Sequence, residues 1–291
     1  MTWQSKYTVV RHLGTGGYGE VWLVLDRAGR PRALKRLKDR AWDFVEALRD
    51  EARKLVRLHG KPGIVQLIDH GLGDDEHDPY IVMEFADGGN LLQYLTAPMA
   101  PNTAASIVLA LVCAVQESHR HGVVHRDIKP ENVLMKDGQV KLTDFGLAKG
   151  HESMLLTIGG QGTPGYMAPE QAVGPAIPAS DVFGVGATLF HLLTAVRPPK
   201  ETVDLNPAAL VTACPAVLAS LVMRMTHQDP RQRPSLDLVA ASLRGYLAST
   251  APRVAPRPRP AGPTAGQALG GLALLGIVLV GLSKLLGGGR R

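Results

Sequence analysis

Two short stretches carry residue types that could do chemistry together: His125-Arg126-Asp127-Ile128-Lys129-Pro130-Glu131-Asn132 and, further on, Asp144-Phe145-Gly146. Asp127 can accept or orient the proton of an attacking hydroxyl, and Lys129 can neutralise charge on a transferring phosphoryl group. Asn132 and Asp144 offer hard oxygen ligands for Mg²⁺, a cation that keeps several waters and bridges to phosphates. ATP-dependent phosphoryl transfer needs these groups side by side. Taken singly, an Asp or Asn in a loop is usually a turn or cap residue. That accounts for each residue but not for the set.

The elements around them must do the positioning. Runs 133–135 and 139–142 flank Asp137-Gly138, a favourable two-residue hairpin turn. Such a hairpin returns Asp144 to the side of Asn132. Upstream, Leu13-Gly14-Thr15-Gly16-Gly17-Tyr18-Gly19-Glu20-Val21 reads as strand, glycine turn and strand, with backbone N–H groups able to approach phosphates. A strand rather than a helix follows Gly19, so this is not a dinucleotide fingerprint. Ala33-Leu34-Lys35 ends a third strand, from which Lys35 can reach phosphates if a helical carboxylate holds it. Glu46 and Glu51 are the candidates. Glu51 is preferred because Leu55 lies one turn on and the distance to Ile64-Val65 then has a near-usual length.

Strands are expected over 7–13, 21–26, 32–36 and 80–85, and a helix over 41–58. Further helices are expected over 104–121, 181–193, 217–225 and 236–248. The fold class implied is α+β and bilobal: a small β-rich lobe over 1–86, a larger α-helical lobe over 87–248, and a cleft between them.

Composition is that of a globular chain of 291 residues, 20% charged and 45% hydrophobic. The two cysteines, Cys113 and Cys214, sit in apolar runs and read as buried free thiols of a reducing compartment. The net charge is +6, but Lys and Arg are scattered, so nucleic acid is not an expected partner. The polar N-terminus carries no signal-peptide pattern. An acidic insert over 73–79 reads as a solvated loop.

The whole set, over residues 7–248, resembles the eukaryotic-like protein kinases, in particular the compact serine/threonine kinases of bacteria. Ala168-Pro169-Glu170 resembles the end of an activation segment, Arg233 its ion-pair partner, and Asp181 the helix aspartate that bonds back to the catalytic loop. The resemblance implies ATP and Mg²⁺ as cofactors, with Mn²⁺ as an alternative. It implies that Lys35 and Glu51 align phosphates, Asp127 and Lys129 act on the hydroxyl and phosphoryl groups, and Asn132 and Asp144 hold metal. Met83, Glu84 and Ala86 resemble gatekeeper and hinge, with the backbones of Glu84 and Ala86 bonding adenine. Leu13, Gly14, Gly16 and Gly19 would cover the nucleotide, while Val21, Ala33 and Leu134 sandwich its base. Phe145, His125 and Leu55 resemble a hydrophobic spine.

Lys129 two residues after Asp127 matches the serine/threonine pattern, Thr163 matches the threonine that contacts the catalytic loop, and the Ala168-Pro169-Glu170 segment implies protein substrates. Arg126 implies control by a phosphate on the segment, with Thr157 the leading candidate and Ser153 and Thr163 the others. The glycine-rich run Ile158-Gly159-Gly160-Gln161-Gly162 departs from relatives that carry paired threonines there. A pseudokinase serving as nucleotide-binding scaffold is the alternative. The complete catalytic set argues for the enzyme.

Residues 249–265 are rich in Pro, Ala and Arg and are expected to form an extended linker. Residues 266–286 are almost wholly apolar, and 287–291 end the chain. A spanning helix needs about 20 such residues. A C-terminal membrane anchor is the favoured reading, with the kinase domain cytoplasmic where ATP is. A helix packed on the core or on a partner, and an unstructured tail, are the alternatives. Gly266 and Gly270 form a GxxxG spacing that leaves dimerisation open.

Overall fold

The computed structural model describes residues 3–15, 19–37, 42–71, 79–145, 163–199, 210 and 212–251. The chain divides into residues 1–251 and 252–291. The linker from 252, the apolar run 266–286 and the tail 287–291 lie outside the described residues, as do Gly16, Ser153, Thr157 and the insert over 72–78.

The first lobe is an antiparallel sheet of β1 (Thr8–Thr15), β2 (Gly19–Leu25), β3 (Pro31–Leu37), β4 (Leu67–Gly71) and β5 (Tyr80–Glu84), in the order β1-β2-β3-β5-β4. The β2–β3 turn is fixed by Asp26, whose Oδ1 accepts from the N–H groups of Ala28 at 2.9 Å and Arg30 at 3.0 Å. Register sorts the strand residues onto two faces, because side chains alternate. Val21 lies opposite Lys35, Lys35 opposite Ile81, and Ala33 opposite Met83. Those residues share one face. Val24, Leu34 and Val82 occupy the other, packed with Trp3 and Tyr80.

Helix α1 (Trp42–Arg57) lies between β3 and β4 in the chain and buries Leu48 and Leu55 in the main core, joined there by Leu58. Each such side chain contributes about 1.5–3 kcal/mol through burial. Strand β4 escapes the sequence reading for a physical reason. It is a short edge strand whose Ile68 faces solvent and whose Asp69 is drawn to Lys6 at 2.9 Å, so neither alternation nor an apolar run marks it.

The second lobe contains α2 (Pro101–Arg120), the hairpin β6 (Val133–Lys136) and β7 (Gln139–Leu142), α3 (Pro178–Thr194), α4 (Ala216–Met225) and α5 (Leu236–Thr250). Helix α3 is buried on every side from Ser180 to Thr194 and forms the pillar of the lobe. At Gly184 a Cβ would stand 3.0 Å from Ile128, so the missing side chain lets α3 approach the catalytic loop.

Two expectations need correction. Cys113 is exposed on α2 and Cys214 only partly buried, because the apolar run around Cys113 winds into a helix with one solvent face. Helix α5 runs beyond residue 248 to Thr250. The Ser249 hydroxyl donates to the Tyr246 carbonyl at 2.7 Å, and the Thr250 hydroxyl to the same carbonyl at 3.1 Å. Ala251 ends it in extended backbone, φ −61° and ψ 138°. Among the described residues, no helix is long and apolar enough to cross a membrane.

Candidate active site

Lys35 is the first organising point. Its Nζ donates to Glu51 Oε1 at 2.9 Å, Glu51 Oε2 at 2.8 Å and Asp144 Oδ1 at 2.8 Å. An ammonium has three donors, so all are engaged. Glu51 is 0% exposed on the inner face of α1, whereas Glu46 turns to Arg49 at 2.7 Å. Burial opposes charge on Lys35, but the Asp144 and Glu51 carboxylates outweigh it and raise its pKa above the ordinary value. Burial likewise works to raise Asp144, and the Lys35 ammonium beside it more than offsets this, so its pKa lies low.

The second point is the loop after α2. Asp181, buried at the start of α3, accepts from the N–H groups of His125 and Arg126, each at 2.8 Å, and from His119 Nε2 at 2.7 Å. Arg126 adopts left-handed backbone, φ 77°. His125 is fully buried and edge-on to Phe145, ring centroids 4.8 Å apart. Its Nε2 lies 2.8 Å from the Thr143 carbonyl, and its Nδ1 accepts from the Asp127 N–H at 3.3 Å. These partners require a neutral ring with the proton on Nε2. Burial lowers its pKa against the pull of Asp181 and other carboxylates, in keeping with that tautomer.

Asp127 stands where these lines meet. Its Oδ2 accepts from Lys129 Nζ at 2.7 Å and Asn132 Nδ2 at 3.1 Å. Its Oδ1 accepts from the Thr163 N–H at 3.2 Å and hydroxyl at 3.0 Å. Lys129 also donates to the Thr163 hydroxyl. Of the three candidate phosphorylation hydroxyls, Thr163 is the one described, and its oxygen is engaged by the catalytic loop. Asn132 Nδ2 donates to the Asp127 carbonyl at 2.8 Å. The Asn132 carbonyl accepts from the Thr143 N–H at 3.0 Å. Hairpin β6–β7, turned by Asp137 (φ 49°) and Gly138 (φ 73°), makes that return.

Asn132 therefore spends its amide donor on Asp127, which leaves its oxygen and the Asp144 carboxylate as the hard donors near the cleft. Among the described residues, no group of three or more His, Cys, Asp or Glu could hold a metal by itself. The two-oxygen set fits a Mg²⁺ ion that takes the rest of its shell from phosphate and water.

The cleft roof is the shared sheet face of Val21, Ala33, Lys35 and Met83, with Leu13 and Gly14 on β1 and Gly19 opening β2. Ala86 is buried beyond β5. The Gly88 N–H donates to the Met135 carbonyl at 3.0 Å and the Met135 N–H to the Gly89 carbonyl at 2.8 Å, which brings Leu134 beside this hinge. The Glu84 N–H donates to the Gln66 carbonyl at 2.9 Å, so that group is not available to a base.

Behind the site, Arg233 makes a two-pronged pair with Glu170, at 2.7 and 2.8 Å, and donates to the carbonyls of Ala179 and His227. The sequence reading missed Gln171, the His119 contact and the side chain of Glu84. Gln171 and Glu84 are polar residues buried by partners distant in the chain, and periodicity carries no signal for them.

A two-lobed fold with a lysine–carboxylate–carboxylate cluster facing an aspartate loop defines a nucleotide-dependent phosphotransferase architecture. The protein kinase domain family matches residues 7–243, and the chain belongs to that family. It is 39% identical over 204 residues to the serine/threonine-protein kinase PknL of Mycobacterium tuberculosis, covering 67% of this chain and 50% of PknL. To PknA of the same organism it is 34% identical over 298 residues, covering 91% of this chain and 69% of PknA. A probable serine/threonine-protein kinase of Streptomyces coelicolor is 40% identical over 209 residues, covering 67% of this chain and 31% of that protein. The chain thus spans about half the length of PknL, the first of these curated relatives.

Proposed function

We propose that this chain is a serine/threonine protein kinase that transfers the γ-phosphoryl group of ATP to protein hydroxyls with Mg²⁺. The observation that carries the reading is the Asp127 carboxylate, held between Lys129, Asn132 and Thr163 and free of any direct contact with Lys35. Asp127 orients the acceptor hydroxyl and takes its proton. Lys129, already at Asp127, offsets charge on the phosphoryl group in flight. Lys35 aligns phosphates while Glu51 fixes its position. Asn132 and Asp144 would hold Mg²⁺, which supplies neutralisation of phosphate charge, and Mn²⁺ suits the same oxygen set. Leu13, Gly14, Gly16 and Gly19 cover the nucleotide, and Val21, Ala33, Met83, Ala86 and Leu134 enclose its base near Glu84.

Lys129 and Thr163 together support serine/threonine acceptors, and the names of the relatives support the same class. The test is labelling from radiolabelled ATP with the wild type, Lys35→Ala and Asp127→Asn. Transfer by the wild type alone is expected, and equal labelling in all three would reject the reading.

Two further readings rest on sequence. Thr157 is the leading autophosphorylation site, and phosphopeptide mapping that found phosphate only elsewhere would remove it. Residues 266–286 anchor the protein in a membrane behind an extended arm over 252–265, with the kinase domain on the cytoplasmic side. Release of the intact protein by carbonate extraction of membranes would sink the anchor.

A further inference from the structure

Gln171 is 2% exposed, in the turn Pro169–Ala172 that closes the activation segment. Its amide does two things at once. Oε1 accepts from the Ala168 N–H at 3.1 Å, and Nε2 donates to the Arg126 carbonyl at 2.9 Å. That carbonyl belongs to the peptide joining Arg126 to Asp127. The N–H of the same peptide donates to His125 Nδ1 at 3.3 Å. The peptide plane from which Asp127 hangs is thus held at its oxygen by Gln171 and at its nitrogen by His125.

The need for such a hold is visible in the backbone. Arg126 has φ 77°, which an L-residue adopts reluctantly and keeps only where its surroundings fix it. Asp181 fixes the peptide before Arg126 and Gln171 the peptide after it. The chemistry also demands an amide. Ala168 needs an acceptor and Arg126 a donor within one short side chain. A carboxylate supplies only acceptors, and an apolar side chain neither.

We propose that Gln171 is a positioning residue for Asp127, coupling the end of the activation segment to the orientation of the catalytic aspartate. When Ala168 is in place, Gln171 is turned toward Arg126 and the Asp127 peptide is locked. When the segment shifts, the donor leaves the Arg126 carbonyl and the left-handed turn relaxes. This rests on the kinase reading above.

The full chain tests it by steady-state transfer to a protein that the wild type labels, with folding checked by thermal unfolding. Gln171→Met keeps the volume and removes both hydrogen bonds. Its kcat is expected to fall about tenfold, the effect of losing the one bond that holds the Arg126 carbonyl, with the KM for ATP within twofold of wild type. Gln171→Glu gives a signature that a packing role would not. Burial favours its neutral acid, which can accept from Ala168 and donate to Arg126 as the amide does. Its rate relative to wild type at the same pH should therefore climb as pH falls from 8 to 6.

A Gln171→Met kcat within twofold of wild type, a loss confined to KM, or a Gln171→Glu ratio that stays flat or falls would each overturn the proposal while leaving the kinase reading intact. If Gln171→Met does not fold, the Gln171→Glu profile decides alone. A wild type without transfer would overturn the kinase reading, and this proposal with it.

Discussion

The carboxylate of Glu84 holds the ammonium of Lys136 at 2.6 Å, tying the last strand of the small lobe to the hairpin of the large one. Its other oxygen accepts from the Gln66 N–H at 3.0 Å and faces Lys141 at 3.5 Å. Burial works to raise the Glu84 pKa, and the Lys136 bond and its neighbours outweigh it, so the carboxyl stays ionised. A buried carboxylate at a hinge sets how the lobes meet. Glu84→Gln keeps the shape and weakens both lysine contacts. The expected result is a several-fold rise in the KM for ATP and a loss of about 1–2 kcal/mol in unfolding free energy. Denaturant melts with ATP titrations measure both, and an unchanged KM would show that the clasp does not control the cleft.

Arg233 and Glu170 predict a larger effect on stability. The Arg233 side chain is 0% exposed, with its guanidinium over the Phe183 ring at 5.1 Å. Removing it leaves Glu170 partly buried with Ser180 as a remaining donor. Arg233→Ala is expected to cost about 3–5 kcal/mol. Glu170→Gln keeps an acceptor for Arg233 and should cost less. Equal melting temperatures for Arg233→Ala and wild type would refute the account.

How much of this was legible beforehand differs from element to element. The hairpin around Asp137-Gly138 could be read because two adjacent left-handed residues are local chemistry. Helix and strand cores could be read from periodicity, whereas β4 could not, since its residues alternate weakly at a sheet edge. Within the site, Asp127, Lys129, Asn132 and Asp144 lie on continuous motifs. The spacing of Glu51 to Leu55 and to Ile64-Val65 favours it over Glu46 as the partner of Lys35, and the packed orientation of α1 sets Glu51 against Lys35. Gln171 and Glu84 act through side chains whose partners are far away in sequence, so no local pattern announces them. Cys113 misled because an apolar run in a helix still has an outer face.

The Lys35–Glu51 pair predicts a change in turnover rather than in fold. Glu51→Gln leaves Lys35 with one charged partner, Asp144, and a neutral amide on α1. The ammonium is then drawn toward Asp144, away from where phosphates must be aligned. A displacement on the order of 1 Å can cost about 10²-fold in rate. Glu51→Gln should lose activity on that scale with its melting temperature little changed. Activity near that of wild type would show that Glu51 does not position Lys35.

His125 gives a pH-dependent prediction whose sign can be worked through. Its folded pKa lies below the ordinary 6.5, first because burial penalises the cation. The unfolded chain therefore binds a proton at this position before the folded one does. The resulting stability is fully present above about pH 6.5 and is lost as pH falls through the folded pKa. Protonation would also set an N–H of Nδ1 against the Asp127 N–H that it now accepts, at 3.3 Å. Other groups titrate on the acid side, including His191, whose pKa burial also lowers. Comparing wild type with His125→Phe cancels them, since both proteins share them. Melting temperatures taken from pH 8 to pH 5 should show the wild type losing its advantage over His125→Phe below pH 6.5. A gap that stays constant across the range would mean that the neutral imidazole is not what the fold requires there.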